Sequence, residues 1–246
     1  MEVPGRHSTA ERERIAELFR LVPVHGRRAL DAGARDGFLS KILADHFDEV
    51  VALDLTMPDI DHPRVTSVCG DISRLGFPDK SFDLVLCAEV LEHIPHSHLT
   101  SACNELMRVS AQSVLIGVPY RQDLRAGRTT CSQCCGVNPP WGHVNSFDET
   151  SIDGLFNGFR RVQTAYVGRH HARTNAISAA LFMAAGNPYG SYDQLETCLR
   201  CNAVLVAPAA RGLAGRALTR LAVTAQRIQH VFSAPEPKWM HMLYER

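Results

Sequence analysis

The stretch Ala29-Leu-Asp31-Ala-Gly33-Ala34-Arg35-Asp36-Gly37 constrains the fold of this chain more than any other. An apolar run closes on an acid, passes through two glycines four residues apart, and opens into the helix-like segment Phe38-Leu-Ser-Lys-Ile-Leu-Ala-Asp-His-Phe47. A strand that turns sharply into a helix needs residues without bulk. They let the backbone turn, and they let a ligand approach where side chains would collide. Seventeen residues beyond Gly37, a second apolar run, Val50-Val-Ala-Leu-Asp54, also ends in an acid. A glycine turn after the first strand and an acid closing the second is how doubly wound sheets hold a nucleoside, the carboxylate accepting from ribose hydroxyls.

The chain keeps this alternation as far as Tyr120. Val68-Cys-Gly-Asp71-Ile72 closes a third apolar run, Asp79 to Ile94 frames a fourth, and Ser113 to Tyr120 makes a fifth. Strand and helix signals alternate throughout, which predicts right-handed βαβ units and a mostly parallel sheet. With Leu30-Asp-Ala-Gly33, Gly70-Asp71, Ser81-Phe-Asp83 and Glu89-Val-Leu-Glu-His93 in that order, the chain resembles the class I S-adenosylmethionine-dependent methyltransferases of the small-molecule type. The resemblance covers residues 27 to 120 closely and the remainder loosely. It implies an α/β fold: a doubly wound, Rossmann-like seven-stranded sheet, mostly parallel with an antiparallel last strand. It also implies S-adenosylmethionine as cofactor. Asp31, Gly33, Ala34, Arg35 and Gly37 would shape the methionine pocket. Asp54 would take the ribose hydroxyls, Leu55 would pack on the adenine, Asp71 with Ile72 would meet the adenine amino edge, and Glu89 with Val90 would line the wall below the sulfonium.

One position departs from the family's Gly-x-Gly-x-Gly: Arg35 stands where the middle glycine is usual. The turn tolerates it if its φ stays negative. A dinucleotide is disfavoured, because close approach of a pyrophosphate depends on that glycine, whereas S-adenosylmethionine has no phosphate to cradle.

The 246 residues suit one α/β domain with an elaboration, and equal numbers of acidic and basic residues give no overall field for nucleic acid. The opening Met1–His7 has no apolar core of a secretory signal, and no apolar run approaches the roughly 20 residues that span a bilayer. A cytoplasmic protein without stable membrane insertion is expected, its eight cysteines serving as thiols or metal ligands rather than disulfides. A homo-oligomer is compatible with the sequence.

The pattern divides the chain into three regions: an N-terminal helical segment over 1–26, the main domain over 27–210 with insertions near 121–145 and 186–202, and a helical tail over 211–246. Ser8 with Glu11 reads as the cap of a first helix that ends before Pro23, beside the cofactor site. Ser146-Phe-Asp-Glu149 reads as a second capping box opening a helix to about Phe159, Arg161–Gly168 as a sixth strand and Ala203–Ala207 as a seventh. The last stretch, Leu213 to Arg246, is expected to pack on the domain, with a membrane surface or a partner subunit as other surfaces it could meet.

Cys131-Ser-Gln-Cys134 and Cys198-Leu-Arg-Cys201 form two Cys-x-x-Cys pairs, each able to present two thiolates to one ion, together a closed tetrahedral zinc site that would pin two irregular loops. Cys135 could replace Cys134, and His143 could replace a cysteine. Cys69, Cys87 and Cys103 fall within strand or helix patterns and read as small core residues. A hydroxyl acceptor needs a base near neutral pKa, which makes His93, just past the fourth strand, and His143 the catalytic candidates. The expected activity is methylation of a small molecule such as a sugar, a glycolipid head group or a natural-product scaffold, at oxygen. RNA or protein methylation is the rival enzymatic reading, and a non-catalytic cofactor-binding scaffold the rival of another class.

Overall fold

The computed structural model describes residues 8–23, 26–170, 174–208, 212–231 and 233–246; the opening Met1–His7, expected to form no secretory signal, lie outside them. In chain order the elements are α1 (Thr9–Arg20), β1 (Gly26–Ala32), α2 (Phe38–Leu43), β2 (Phe47–Asp54), β3 (Val65–Cys69), β4 (Phe82–Ala88), α3 (His96–Val109), β5 (Ser110–Pro119), β6 (Thr129–Thr130), β7 (Val137–Asn138), α4 (Glu149–Leu155), β8 (Arg160–Val167), α5 (Ala176–Ala184), α6 (Leu213–Val231) and β9 (Trp239–Glu245). The chain forms two compact units. One comprises Met1–Tyr120, Phe147–Gly168 and Pro237–Arg246, the other Arg121–Ser146 and Arg169–Glu236.

The first unit is built on one sheet, in the order β3-β2-β1-β4-β5-β9-β8. Strands β1 to β5 run parallel, and β9 is antiparallel to both of its neighbours. This is the doubly wound α/β sheet expected. Its central strands carry unbroken buried runs, such as residues 50–53, 84–88 and 113–118, because both faces are covered there. Leu30, Val51, Val85 and Val114 pack with Leu99, Cys103 and Leu106 of α3 on one side. Ala29, Val50, Leu84 and Leu115 pack with Leu18 of α1 and Leu43 of α2 on the other. Helix α1 begins as its cap predicts, the Ser8 hydroxyl accepting from the Glu11 N–H at 3.1 Å.

Four local expectations are corrected. The seventh strand is Trp239–Glu245, not Ala203–Ala207, so the tail expected to be helical over 211–246 divides into α6 and a strand. Residues 203–207 bury only Leu205 and leave Val204 and Val206 in solvent, whereas Trp239 to Tyr244 are buried without a break, as a strand between two others must be. Helix α4 is capped by Asp148 and Ser151 rather than by Ser146, and it ends at Leu155. The shift arises because Phe147 is buried and bridges to Tyr120 in extended conformation, leaving Asp148 as the first residue able to cap. Cys69, at the end of the edge strand β3, is exposed and donates to the Leu55 carbonyl at 3.1 Å; Cys87 and Cys103 are buried.

In the second unit β6 and β7 form a short antiparallel ladder, and α5 opens on a reciprocal cap between Asn175 and Ser178 before packing against α6. Asp123 ties two distant segments together, accepting from the Thr174 N–H and hydroxyl, each at 2.7 Å, and from Arg125 at 2.9 Å.

Candidate functional site

The turn from β1 into α2 sits at the carboxyl edge of the sheet and takes positive φ at three positions: Gly33 at 89°, Arg35 at 53° and Gly37 at 73°. Arg35 therefore does not meet the condition of negative φ under which the turn would tolerate it easily. It occupies the left-handed region, and the local hydrogen bonds supply the reason. The Gly33 and Ala34 N–H groups both donate to the Leu53 carbonyl, at 2.7 and 2.9 Å, and the Arg35 N–H donates to Asp54 Oδ2 at 2.8 Å. The turn is thus stitched to the end of β2, and the backbone follows. At both glycines a Cβ would also collide: at 2.2 Å with Val90 Cγ2 from Gly33, and at 2.1 Å with Ile60 Cδ1 from Gly37. Asp31, beneath this turn, is buried and accepts from the Ser40 hydroxyl at 2.6 Å; burial pushes its carboxyl up to about 6.

The next strand ends complete the edge. One oxygen of Asp54 is held by the Arg35 N–H and the other meets the Thr56 N–H at 3.4 Å, which orients the carboxylate and leaves lone pairs for further donors. Leu55, its neighbour, is 72% exposed, and Met57 is exposed as well. Asp71 is exposed and caps its own turn by accepting from the Ser73 N–H at 2.8 Å, which holds its carboxyl below the usual range, while Ile72 belongs to the core. After β4, Glu89 adopts φ 58°, Val90 packs over Gly33, and His93 closes a single helical turn, Leu91–His93. His143 belongs to the second unit, where it is buried and its Nδ1 lies 2.6 Å from Gln122 Oε1.

Beneath α1 lies a polar group that sequence reasoning missed. Arg14 is buried, bonds both oxygens of Glu11 at 2.6 and 3.1 Å, and faces Glu89 at 3.8 Å. The indole N–H of Trp239 donates to the other Glu89 oxygen at 3.1 Å. Glu92 and His241 are wholly buried nearby, and among the described residues neither finds a hydrogen-bond partner for its side chain. Burial pushes the Glu92 carboxyl well above the carboxylate range, with Glu89 adding to the shift. Burial also holds the His241 imidazole down at about 3, so it is neutral. One signal was available for this cluster: Glu11, Arg14 and Leu18 share a face of α1, so an arginine sits within its core-facing stripe.

Residues 30–115 match the family described as "Methyltransferase domain". A Mycolicibacterium smegmatis protein named "Probable S-adenosylmethionine-dependent methyltransferase" is 31% identical over 111 residues, covering 43% of this chain and 43% of its own length. The malonyl-[acyl-carrier protein] O-methyltransferase of Halorhodospira halophila is 35% identical over 111 residues, covering 40% of this chain and 36% of its own. The crystal structure of the N-methyltransferase NodS from Bradyrhizobium japonicum with S-adenosyl-L-homocysteine superposes with a TM-score of 0.51 at 21% identity, covering 68% of this chain and 85% of that one. The chain carries a class I S-adenosylmethionine-dependent methyltransferase domain. It spans about two fifths of the length of these curated relatives.

The matched methyltransferase domain stops before either cysteine pair. In the second unit Cys131, Cys134, Cys198 and Cys201 converge, all four sulfurs lying within 4.8 Å of one another. Cys131 and Cys201 are 3.6 Å apart, as are Cys134 and Cys198. Two ligands 2.3 Å from a tetrahedral zinc would be about 3.8 Å apart. The two pairs fold alike. In each, the residue after the second cysteine (Cys135 at φ 55°, Asn202 at φ 58°) is left-handed and donates its N–H back to the carbonyl of the first cysteine, at 3.0 and 2.8 Å. Backbone N–H groups of Cys134 and Gln133 lower the Cys131 thiol, and that of Arg200 brings Cys198 down to about 6, which favours thiolate at these two. At Cys201 the Ala203 N–H is outweighed by hydrogen bonds with the three neighbouring sulfurs, which push its thiol up to about 12. Buried Asn138 links the two turns, accepting from the Leu199 N–H at 2.9 Å and donating to the Gly136 carbonyl at 3.3 Å. Cys135 is exposed and stands outside the cluster, so it does not take the place of Cys134.

Proposed function

We propose that this chain transfers the methyl group of S-adenosylmethionine to an oxygen of a small molecule, and that one structural zinc held by Cys131, Cys134, Cys198 and Cys201 orders the loops of the second unit. The observation that carries the first part is the turn stitched across the sheet edge, which sets the oriented carboxylate of Asp54 beside the exposed side chain of Leu55. A nucleoside presents that same pair of chemistries, ribose hydroxyls as donors and a flat apolar base. Asp71, at the next strand end, adds an acceptor for the adenine edge, while Gly33, Ala34 and Gly37 keep the turn thin where the methionine arm would lie.

Bound there, S-adenosylmethionine supplies an electrophilic methyl carbon on a leaving group that is already activated. The chain's own work is then alignment and exclusion of water. An acceptor hydroxyl must still lose its proton, and either His93 or His143 is the group proposed to receive it. The oxygen acceptor is supported by the name of the Halorhodospira relative. For zinc, the support is the donor set: four sulfurs at tetrahedral spacing on two matched turns, whose closed geometry leaves no position for chemistry.

Calorimetric titration of the purified chain with S-adenosylhomocysteine, beside an Asp54→Ala variant and elemental analysis of the same samples, tests both halves. Micromolar binding, weakened at least about tenfold by loss of hydrogen bonds to a charged acceptor, is expected with about one zinc per chain. A folded, zinc-loaded sample that binds no cofactor would overturn the methyltransferase reading.

A further inference from the structure

The neutrality of the whole chain conceals a division of charge. The second unit contains ten arginines and no lysine, against the four acids Asp123, Asp193, Glu196 and Glu236, a surplus of six positive charges. The first unit, with Met1 to Tyr120 as its largest part, carries the opposite surplus. Four thiolates around a divalent ion would still leave the second unit with roughly four positive charges in excess.

Helix α6 is where this charge meets aliphatic surface. Its 19 residues include Arg216, Arg220 and Arg227 and no acid. At about 100° per residue, Leu213, Ala217, Leu221, Thr224, Ile228 and Val231 fall within one arc of about 80°, and the three arginines line one border of it. That arc lies in solvent: Leu213 is 79% exposed, Leu221 58%, Ile228 57% and Val231 78%. The other side of the helix carries the buried Thr219 and Ala222, and the Ala225 carbonyl accepts from Asn175 at the start of α5 at 2.9 Å. Helix α5 has no charged residue at all and exposes Ile177 and Met183. A helix packed on one side should not keep an aliphatic stripe in water on the other unless something covers it.

We propose that the outer face of α6 docks the chain on an anionic lipid surface. Charge and shape together select this occupant. Aliphatic side chains enter the acyl boundary while guanidinium groups along the stripe meet lipid phosphates, the pattern of helices that lie in the interface without crossing it. No helix among the described residues is long and apolar enough to cross. In an antiparallel two-fold contact between copies of this chain, the patch would meet itself and bring the arginine rows into apposition. Single-stranded nucleic acid stacks its bases on aromatic side chains, and α6 has no Phe, Tyr or Trp.

The test is co-sedimentation of the full chain with vesicles of phosphatidylcholine alone or mixed with phosphatidylglycerol. Two variants accompany it, each checked by circular dichroism: Arg216→Gln/Arg220→Gln/Arg227→Gln, and Leu221→Ser/Ile228→Ser. The chain should bind the anionic vesicles, and added salt should release it. A basic residue near an anionic surface is worth about fivefold, so the arginine variant should bind about a hundredfold more weakly. The serine variant should lose at least about tenfold through apolar burial. No vesicle binding, or equal binding to neutral and anionic vesicles, overturns the proposal. So does binding of single-stranded RNA, with no vesicle binding, that the arginine variant loses and the serine variant keeps. A dimer seen by light scattering and broken by the serine variant, with no vesicle binding, would assign the face to a second copy.

Discussion

Replacing Gly33 with alanine tests the account of the cofactor turn, because it combines two costs that can be separated. The residue sits at φ 89°, where a side chain costs about 1–2 kcal/mol. Its new Cβ would lie 2.2 Å from Val90 Cγ2, more than an ångström inside ordinary contact, and Val90 is wedged between the turn and the core it packs on. Forcing one extra carbon into such a site costs a further 1–3 kcal/mol or so. Gly33→Ala should therefore destabilise the chain by about 2–5 kcal/mol, read as a lowered urea midpoint at unchanged slope. Val90→Ala removes the offending methyl and leaves Val90 Cβ at 3.4 Å. In the double variant the steric part should vanish and the conformational part remain, a coupling of about 1–3 kcal/mol in the mutant cycle. Additive effects, with coupling below about 0.5 kcal/mol, would show that Val90 does not press on the turn and would refute the reasoning.

Three other perturbations have outcomes set by the same structure. Arg35→Gly should be close to neutral, the relief of a left-handed residue offsetting the entropy of glycine, while Arg35→Val should cost more than about 1 kcal/mol; a harmless valine in a melting experiment would contradict the positive φ. Burial keeps His241 neutral down to about 3, so below its ordinary 6.5 the unfolded chain takes a proton that the folded one refuses. Stability from this residue is therefore intact above pH 6.5 and falls as pH drops toward 3. At pH 5 the loss is about 2 kcal/mol, and His241→Leu should flatten that part of the stability profile; parallel profiles would show that the imidazole is not held neutral. Asn138→Ala leaves the Leu199 N–H without its acceptor, should cost about 1–3 kcal/mol within the second unit, and should speed zinc loss to a chelator. Unchanged release would mean that the two cysteine turns are not coupled through it.

How much could be read in advance depended on the range of the interactions involved. The parallel core was legible from apolar runs closed by acids, because strands buried on both faces have no polar alternation to hide them. The Ser8 cap was legible because its partner is three residues away, and the cysteine pairs because each turn is local. Helix α4 was misplaced by two residues, since the choice between Ser146 and Asp148 rests on the bridge between Phe147 and Tyr120. The sign of φ at Arg35 depends on Leu53 and Asp54 of another strand. The last strand was misassigned because Ala203–Ala207 and Trp239–Glu245 are both short apolar runs, and only the slot between β5 and β8 distinguishes them.

By itself, then, the amino-acid order determined the fold class, the acids and glycines of the candidate cofactor edge, and the two Cys-x-x-Cys pairs. Those features arise from contacts within a few residues, or from a periodicity that burial imposes along the chain. Tertiary structure decided the rest: that the final residues complete the sheet, that Arg14, Glu89, Trp239 and His241 meet beneath α1, that four sulfurs from segments 63 residues apart share one centre, and that a neutral chain divides into an acidic and a basic unit. Each of these depends on which distant segments are brought together, and the free energy that selects the partner is spread over a core that no single segment contains.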